Sequence, residues 1–492
     1  MKKIVNKLMI LTFLITLTTS CSDQYFEVNT PSNTATIDQL RMADLMAPVI
    51  HSTVEGQRSA EAAFGNYTQY FVGQGGTAAG RTSVSGLWTQ VYLYVLPNLK
   101  AIKEKAAENG AIHYGAVADI LKAINLGIAT DSWDNIPYSD ATNGPDNNFP
   151  TFDTQQQIYT AIFDLLDNAI LALQGPDDSG FTLGSEDLIY GGDFDKWLRA
   201  AYTIKARYQL HLVNKGTVSA TDVLTTINSG FNSVDDDFDM YYDEKNINPN
   251  YSAEVLARNT GNPHNDIGKQ LVSSMNGDYF PFQSGLEIDP RLPVYATNDG
   301  AAEWKGYVSG GAGLAPDGTN ANTGFADGGF YTKIDAPLPV INYAEALFIK
   351  AEAAFLANGG TPTSTGSTVE AYTAYLDGIA ASMERYGVDG SAYLADPAIA
   401  VGAGNLRLEH IMKEKYIHNF LNPETFVDFR RYDFSDDVFR GLEIREEEDS
   451  ADPEFAGMWF RRADYPSTEL NRNEANVRAN EQSPINPVWW DQ

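Results

Sequence analysis

Cysteine is almost missing from this sequence: Cys21 is the only one in 492 residues. A chain with one thiol can build neither an internal disulfide nor a multi-cysteine metal site. Cations are also scarce, with 34 Lys and Arg against 65 Asp and Glu. That balance disfavours nucleic acid, anionic lipid and polyanionic substrates as partners. Histidine is sparse, at six residues, and none falls in His-Glu-x-x-His; His410 and His418 stand eight apart, with Glu414 between them. There is no Gly-x-Ser-x-Gly elbow for a hydrolase serine. Gly73 to Ala78 matches Gly-x-Gly-x-x-Ala, but the acid that would hold a ribose is absent: no Asp or Glu lies between Glu61 and Glu104. Carboxylates are so abundant elsewhere that paired acids carry no information about glycosidase chemistry. Long apolar runs are missing too. After the first twenty residues nothing approaches membrane-spanning length.

What is present begins at the N-terminus. Lys2, Lys3 and Lys7 precede an apolar stretch, Ile4 to Leu17, too short to span a bilayer as a helix and suited to a secretory leader. It ends in Leu17-Thr18-Thr19-Ser20-Cys21, which places the sole thiol where a diacylglycerol can be attached after cleavage. Cys21 is therefore read as a lipid-attachment site, and several acyl chains anchor where one would not. Loss of residues 1–20 removes three Lys and no acid, leaving 31 basic against 65 acidic residues, a formal −34.

Beyond the leader, helical periodicity dominates. Val117, Ile120, Leu121, Ile124 and Ile128 share one face, as do Ile158, Ile162, Leu165, Leu166, Ala169, Ile170 and Leu173. The pattern predicts helix pairs at 88–108 with 112–130, 154–174 with 193–213, 341–358 with 368–386, and 404–420 with 424–433. Pro97 should kink the first. Stacked pairs imply an all-α, tetratricopeptide-like scaffold, expected at 37–230 and 341–433 within a single domain, 21–492. Between 231 and 340 the periodicity stops and Gly, Asn, Asp and Pro take over. So long an irregular segment is read as a ligand-facing insertion.

Several motifs resemble a known family. Lys122 to Ala141, with Asp131-Ser-Trp133-Asp-Asn-Ile-Pro137-Tyr138-Ser139-Asp140-Ala141, is similar to the SusD-like signature Asp-x-Trp-Gly-Asp-Ile-Pro-Tyr-Ser-Glu-Ala, with Asp134-Asn135 in place of Gly-Asp. Tyr343-Ala-Glu345 with Ala351-Glu352-Ala, Phe426-Val-Asp428-Phe-Arg430-Arg431, and the ending Pro487-Val-Trp489-Trp490-Asp491 follow in the family's order. The sequence is identified as a member of the SusD/RagB family. The resemblance implies a cell-surface lipoprotein of the outer membrane, without enzymatic activity. It would capture oligosaccharide or polysaccharide, or in some members peptide, and deliver it to a SusC-like TonB-dependent β-barrel transporter. A surface glycoside hydrolase and a plain structural scaffold are the alternatives from other classes. Trp133, Tyr138, Trp197, Arg430 and Arg431 are read as architecture, packing helices and pairing with Glu345, Glu414 or Asp428.

The carboxylate-free window from Ala62 to Lys103 contains Tyr67, Tyr70, Phe71, a Gly-rich loop, Trp88 and Tyr92. Sugar C–H faces lie against aromatic rings while hydroxyls pair with Arg, Asn and Gln. Trp88, Arg81 and Gln74 are the candidates here. Tyr279, Phe282, Trp304 and Tyr307, with Asn276 and Tyr331, are those of the irregular segment. The reading expects 73–92 and 276–307 to meet at one exposed platform; otherwise these rings plug the core or face the transporter. No cofactor is implied. Calcium is conceivable at Asp235, Asp236, Asp237, Asp239 and Asp243 or at Asp317, Asn320 and Asn322, although neither run fits an EF-hand and a solvated acidic loop is the simpler reading.

Overall fold

The computed structural model describes residues 39–78, 80–444 and 451–492. Cys21 and the leader lie outside them. The described chain is mainly helical, with short strands. The first helix, α1 (Met42–Phe64), is followed by a short helix, α2 (Ser85–Thr89). After one wide turn at Gln90–Val95 the chain continues into α3 (Leu96–Asn109). Pro97 explains the wide turn: it has no N–H for the carbonyl of Leu93, so the ladder re-registers just before it. The neighbouring Tyr94 carbonyl is taken by the Asn98 side chain at 2.7 Å.

Next come α4 (Ile112–Trp133), α5 (Gln155–Gln174), α6 (Phe194–His211) and α7 (Ala220–Ile227). Local chemistry sets their starts. Thr154 and Gln157 form a capping box, Asp193 accepts from the N–H groups of Asp195 and Lys196, and Ser219 pairs with Asp222. From Tyr114 to Trp133, α4 is buried on nearly every face, which marks it as the central helix. Gly127 is required there. A Cβ would lie 2.1 Å from the Tyr208 hydroxyl, which bonds the Ile124 carbonyl at 3.2 Å and ties α6 to α4.

Consecutive helices pack in order from α3 to α7, and the stack then skips the irregular segment. Helix α7 packs directly on α9 (Tyr343–Ala357), which packs on α10 (Val369–Tyr386) and on α11 (Leu408–His418). Between them lie α8 (Lys269–Met275) and most of the short strands; α12 (Glu424–Arg431) follows α11. Strand β4 (Phe238–Met240) pairs antiparallel with β8 (Leu338–Ile341), so the irregular segment leaves and rejoins the scaffold at one two-stranded neck.

Ion pairs buried from water join distant parts of the chain. Arg207 on α6 makes a bidentate pair with Glu345 on α9, at 2.8 and 2.7 Å. Arg291, from the irregular segment, pairs with Asp289 and Glu414, both at 2.6 Å. Lys415 and Arg431 share Glu352 and Asp428. Trp133, Trp197, Arg430 and Arg431 are all buried, as the architectural reading requires. Asp428 has the expected partner, whereas Glu345 and Glu414 take theirs from Arg207 and Arg291. Such pairs offset the desolvation of their own charges and fix which elements meet.

Candidate ligand-binding site

The site is built on the end of α1. Past Phe64 the chain turns through Gln69, whose φ of 58° redirects it into β1 (Phe71–Gly73). Strand β1 pairs antiparallel with β5 (Asn265–Ile267). With β7 (Gly324–Phe325) and β6 (Ala296–Thr297) they form one small sheet, in the order β1-β5-β7-β6. At the tip beyond β1, Gly75 and Gly76 adopt positive φ. The Gly75 N–H donates to Asp266 at 2.8 Å, and the Gly310 N–H donates to the Gly76 carbonyl at 2.7 Å. The tip bearing Gln74 is thus fastened to the 305–314 loop.

Tyr307 is pinned on both sides. Its N–H donates to Ile267, and its carbonyl accepts from Lys269 at 2.9 Å. The ring stays half-buried beside a depression of about 50 Å³ lined by Val72, Lys269, Val308 and Ile444. A second depression of about 30 Å³ adjoins it, lined by Asn66, Tyr67, Phe434, Trp459 and Phe460. Gln69, Ser309 and Glu443 belong to both, so the two are lobes of one groove. Trp459 lies flat on Phe434, centroids 4.6 Å apart and planes 3° from parallel. Gln69 donates to the Glu443 carbonyl at 2.8 Å, and Lys269 pairs with the Glu443 carboxylate. The groove's cation is therefore neutralised, and its rim offers amide, hydroxyl and aromatic surfaces: the mixture a neutral polyhydroxylated ligand needs.

Of the sequence candidates, Tyr307 lines this groove and the exposed Gln74 stands on the adjoining tip. Tyr279 borders it: its hydroxyl donates to the Gly441 carbonyl at 3.3 Å, and burial pushes its pKa up. Trp304 and Phe282 line neither lobe. The Trp304 carbonyl accepts from Asn276, and the Phe282 ring packs on Tyr393, 5.9 Å away.

The expected platform requires correction. Trp88 is 7% exposed and stands edge-on to Trp133, with centroids 5.0 Å apart, inside a cluster with Tyr92, Phe152 and Tyr465. It is a core residue, because α2 turns that face toward α4. Arg81 sits apart from the groove, in a cleft of about 460 Å³ with Phe455, Arg462 and Tyr465. Asp464 holds its guanidinium at 2.9 and 3.0 Å. The two regions do meet, through Gly76 and the 305–314 loop rather than through the two tryptophans.

The acidic runs need correcting as well. Asp236 is taken by Arg199, Asp237 and Asp239 by Arg385, and Asp317 by Lys305. Asp236 and Asp239 are buried, so the first run is an internal ion-pair cluster rather than a solvated loop. No group of three or more His, Cys, Asp or Glu is placed to hold a metal among the described residues.

The sequence reading missed Asn66, Gln69, Ser309, Phe434, Glu443 and Trp459. One signal was available: Met458-Trp459-Phe460 is an apolar triplet just after a strongly acidic stretch.

A family model described as starch-binding and associating with the outer membrane matches residues 32–453. The chain belongs to the SusD-like family. A search among curated proteins finds no match to the sequence. Among solved structures, a SusD/RagB family protein from Bacteroides thetaiotaomicron superposes with a TM-score of 0.68 at 22% identity, covering 92% of this chain and 99% of that one. A chitin-binding SusD homologue from Flavobacterium johnsoniae gives 0.67 at 21%, covering 92% and 97%. A SusD homologue from Bacteroides uniformis gives 0.70 at 20%, covering 92% and 99%. These likenesses establish the SusD-like fold, a helical scaffold with a loop-rich half, as the sequence reading expected. Among the described residues no helix is long and apolar enough to cross a membrane.

Proposed function

We propose that this SusD-like protein is a non-enzymatic surface lipoprotein of the outer membrane that captures a neutral glycan in the two-lobed groove and passes it to a TonB-dependent barrel transporter. The observation that carries the reading is the groove itself. Tyr307 and Trp459 flank a rim of Gln69 and Ser309, and the local charge is cancelled between Lys269 and Glu443. The formal −34 of the mature chain argues against anionic polysaccharides. Two similar structures carry names that describe chitin binding, which supports a glycan over a peptide. Cys21 supplies the anchor, and family membership supplies the transporter as partner.

Gel retardation of the mature chain in neutral polysaccharides tests the reading. Retardation with no loss of polymer size is expected. Tyr307→Ala and Trp459→Ala should each weaken it by about tenfold to a hundredfold, the usual cost of a stacking contact. Depolymerisation of the matrix would favour a hydrolase, and indifference to both substitutions would move the site elsewhere.

A further inference from the structure

The lobe that contains Trp459 has a feature that sugar stacking alone does not use. Asn66, in the turn after α1, is half-buried, and its Oδ1 is shielded from solvent with no donor reaching it among the described residues. An unpaired buried amide oxygen is costly, and such atoms in native folds call for an explanation. Asn66 shares its depression with four aromatic side chains, Tyr67, Phe434, Trp459 and Phe460. The Tyr67 and Phe460 centroids are 5.1 Å apart, and the Tyr67 hydroxyl is committed to the Gly80 carbonyl at 2.9 Å. The free space, about 30 Å³, admits one or two water-sized groups.

A ring-walled slot with one unsatisfied amide suits a small group that is apolar at its tip and hydrogen-bonding at its base. A sugar hydroxyl meets only the second condition. An acetamido group meets both: its methyl fits among the rings, and its N–H can donate to Asn66. Because it is itself an amide, it complements the Asn66 side chain in either orientation. We propose that this lobe is a specificity pocket for an N-acyl substituent, so that the preferred glycan contains N-acetylated hexosamine. The assignment rests on the groove being the glycan site.

Titration of the mature chain, purified in detergent, with N-acetylchitohexaose and with cellohexaose tests it. The two share a β-1,4 backbone and differ at C2. The acetylated hexaose is expected to bind at least tenfold more tightly. Asn66→Leu should remove most of that advantage while leaving cellohexaose affinity unchanged. Saturation-transfer NMR on the unsubstituted protein gives a second readout, in which the acetyl methyl protons should receive the strongest saturation. Equal affinities, stronger saturation of ring protons than of the methyl, or retention only of polysaccharides lacking N-acyl groups would each overturn the assignment and leave glycan capture standing. If neither hexaose binds and no polysaccharide retards the protein, the capture reading fails and the assignment fails with it.

Discussion

Glu61 lies on α1, one turn before the site, and is 5% exposed. Burial raises its pKa from an ordinary 4.5 to about 8; Arg58 offsets part of the rise and Glu254 adds to it. The folded chain therefore holds a proton on Glu61 across a range where the unfolded chain has released it. Between pH 4.5 and 8 the folded state binds one more proton, so this group makes stability fall by about 1.4 kcal/mol per pH unit. Integrated over the window, the loss is on the order of 3–5 kcal/mol. Glu61→Gln keeps the shape and never ionises. It should match wild type near pH 4.5 and exceed it progressively up to pH 8. For a chain of this length 1 kcal/mol shifts Tm by about 1 °C, so the difference should reach about 3–5 °C. Scanning calorimetry of both proteins at pH 5, 6, 7, 8 and 9 measures it. His211 also titrates in this region: burial lowers its pKa, but Glu424 and Asp131 outweigh that and lift it to about 9. Its contribution is common to both proteins and cancels in the difference. A gap between them that is constant with pH, or a variant less stable at pH 8, would refute the reasoning.

Three further outcomes follow from the same coordinates. Trp88→Ala should lower stability by about 3–5 kcal/mol without changing glycan affinity per folded molecule, read by calorimetry and by titration of the folded fraction. Asp134 has φ 75° and ψ −105°, a conformation suited to glycine, and is held by bonds from the Trp489 N–H at 2.9 Å and Arg462 at 3.2 Å. Asp134→Ala should therefore be less stable than Asp134→Gly by about 1–3 kcal/mol, because only glycine relieves the strain once the bonds are gone; equal Tm values would contradict this. Cys21→Ser should move the protein out of the membrane fraction, and retention there would rule out the lipid anchor.

The scaffold was legible because its helices announce themselves twice, by apolar spacing and by caps. The segments 154–174 and 368–386 fall within a residue of Gln155–Gln174 and Val369–Tyr386. Helix α1 was not singled out because Ser52, Thr53, Gln57 and Glu61 are buried among its apolar positions and break the pattern, with Pro48 inside it. The site was legible only in outline. Tyr307 and Gln74 lie where the reading placed them, because glycine-rich loops with aromatics are loops in any fold. Trp88 misled because an aromatic in an acid-free window looks the same whether it faces solvent or core. Gln69, Glu443 and Trp459 come together from segments nearly 400 residues apart, and only the closed sheet and the ion pairs specify that meeting.

The two-stranded neck between β4 and β8 has a consequence for how such a protein can change. The chain between Met240 and Leu338 closes a long loop whose ends are already held together, and closure entropy grows only as the logarithm of length, about 0.6 kcal/mol per doubling. Insertions and deletions there cost little, and the helices on either side, α7 and α9, touch each other regardless. The segment supplies Lys269, Tyr307 and Ser309 to one wall of the groove, while Asn66, Tyr67, Gln69, Phe434 and Trp459 come from outside it. One wall can thus be redrafted by loop drift while the other keeps its register, so a lineage can shift its diet without rebuilding its frame.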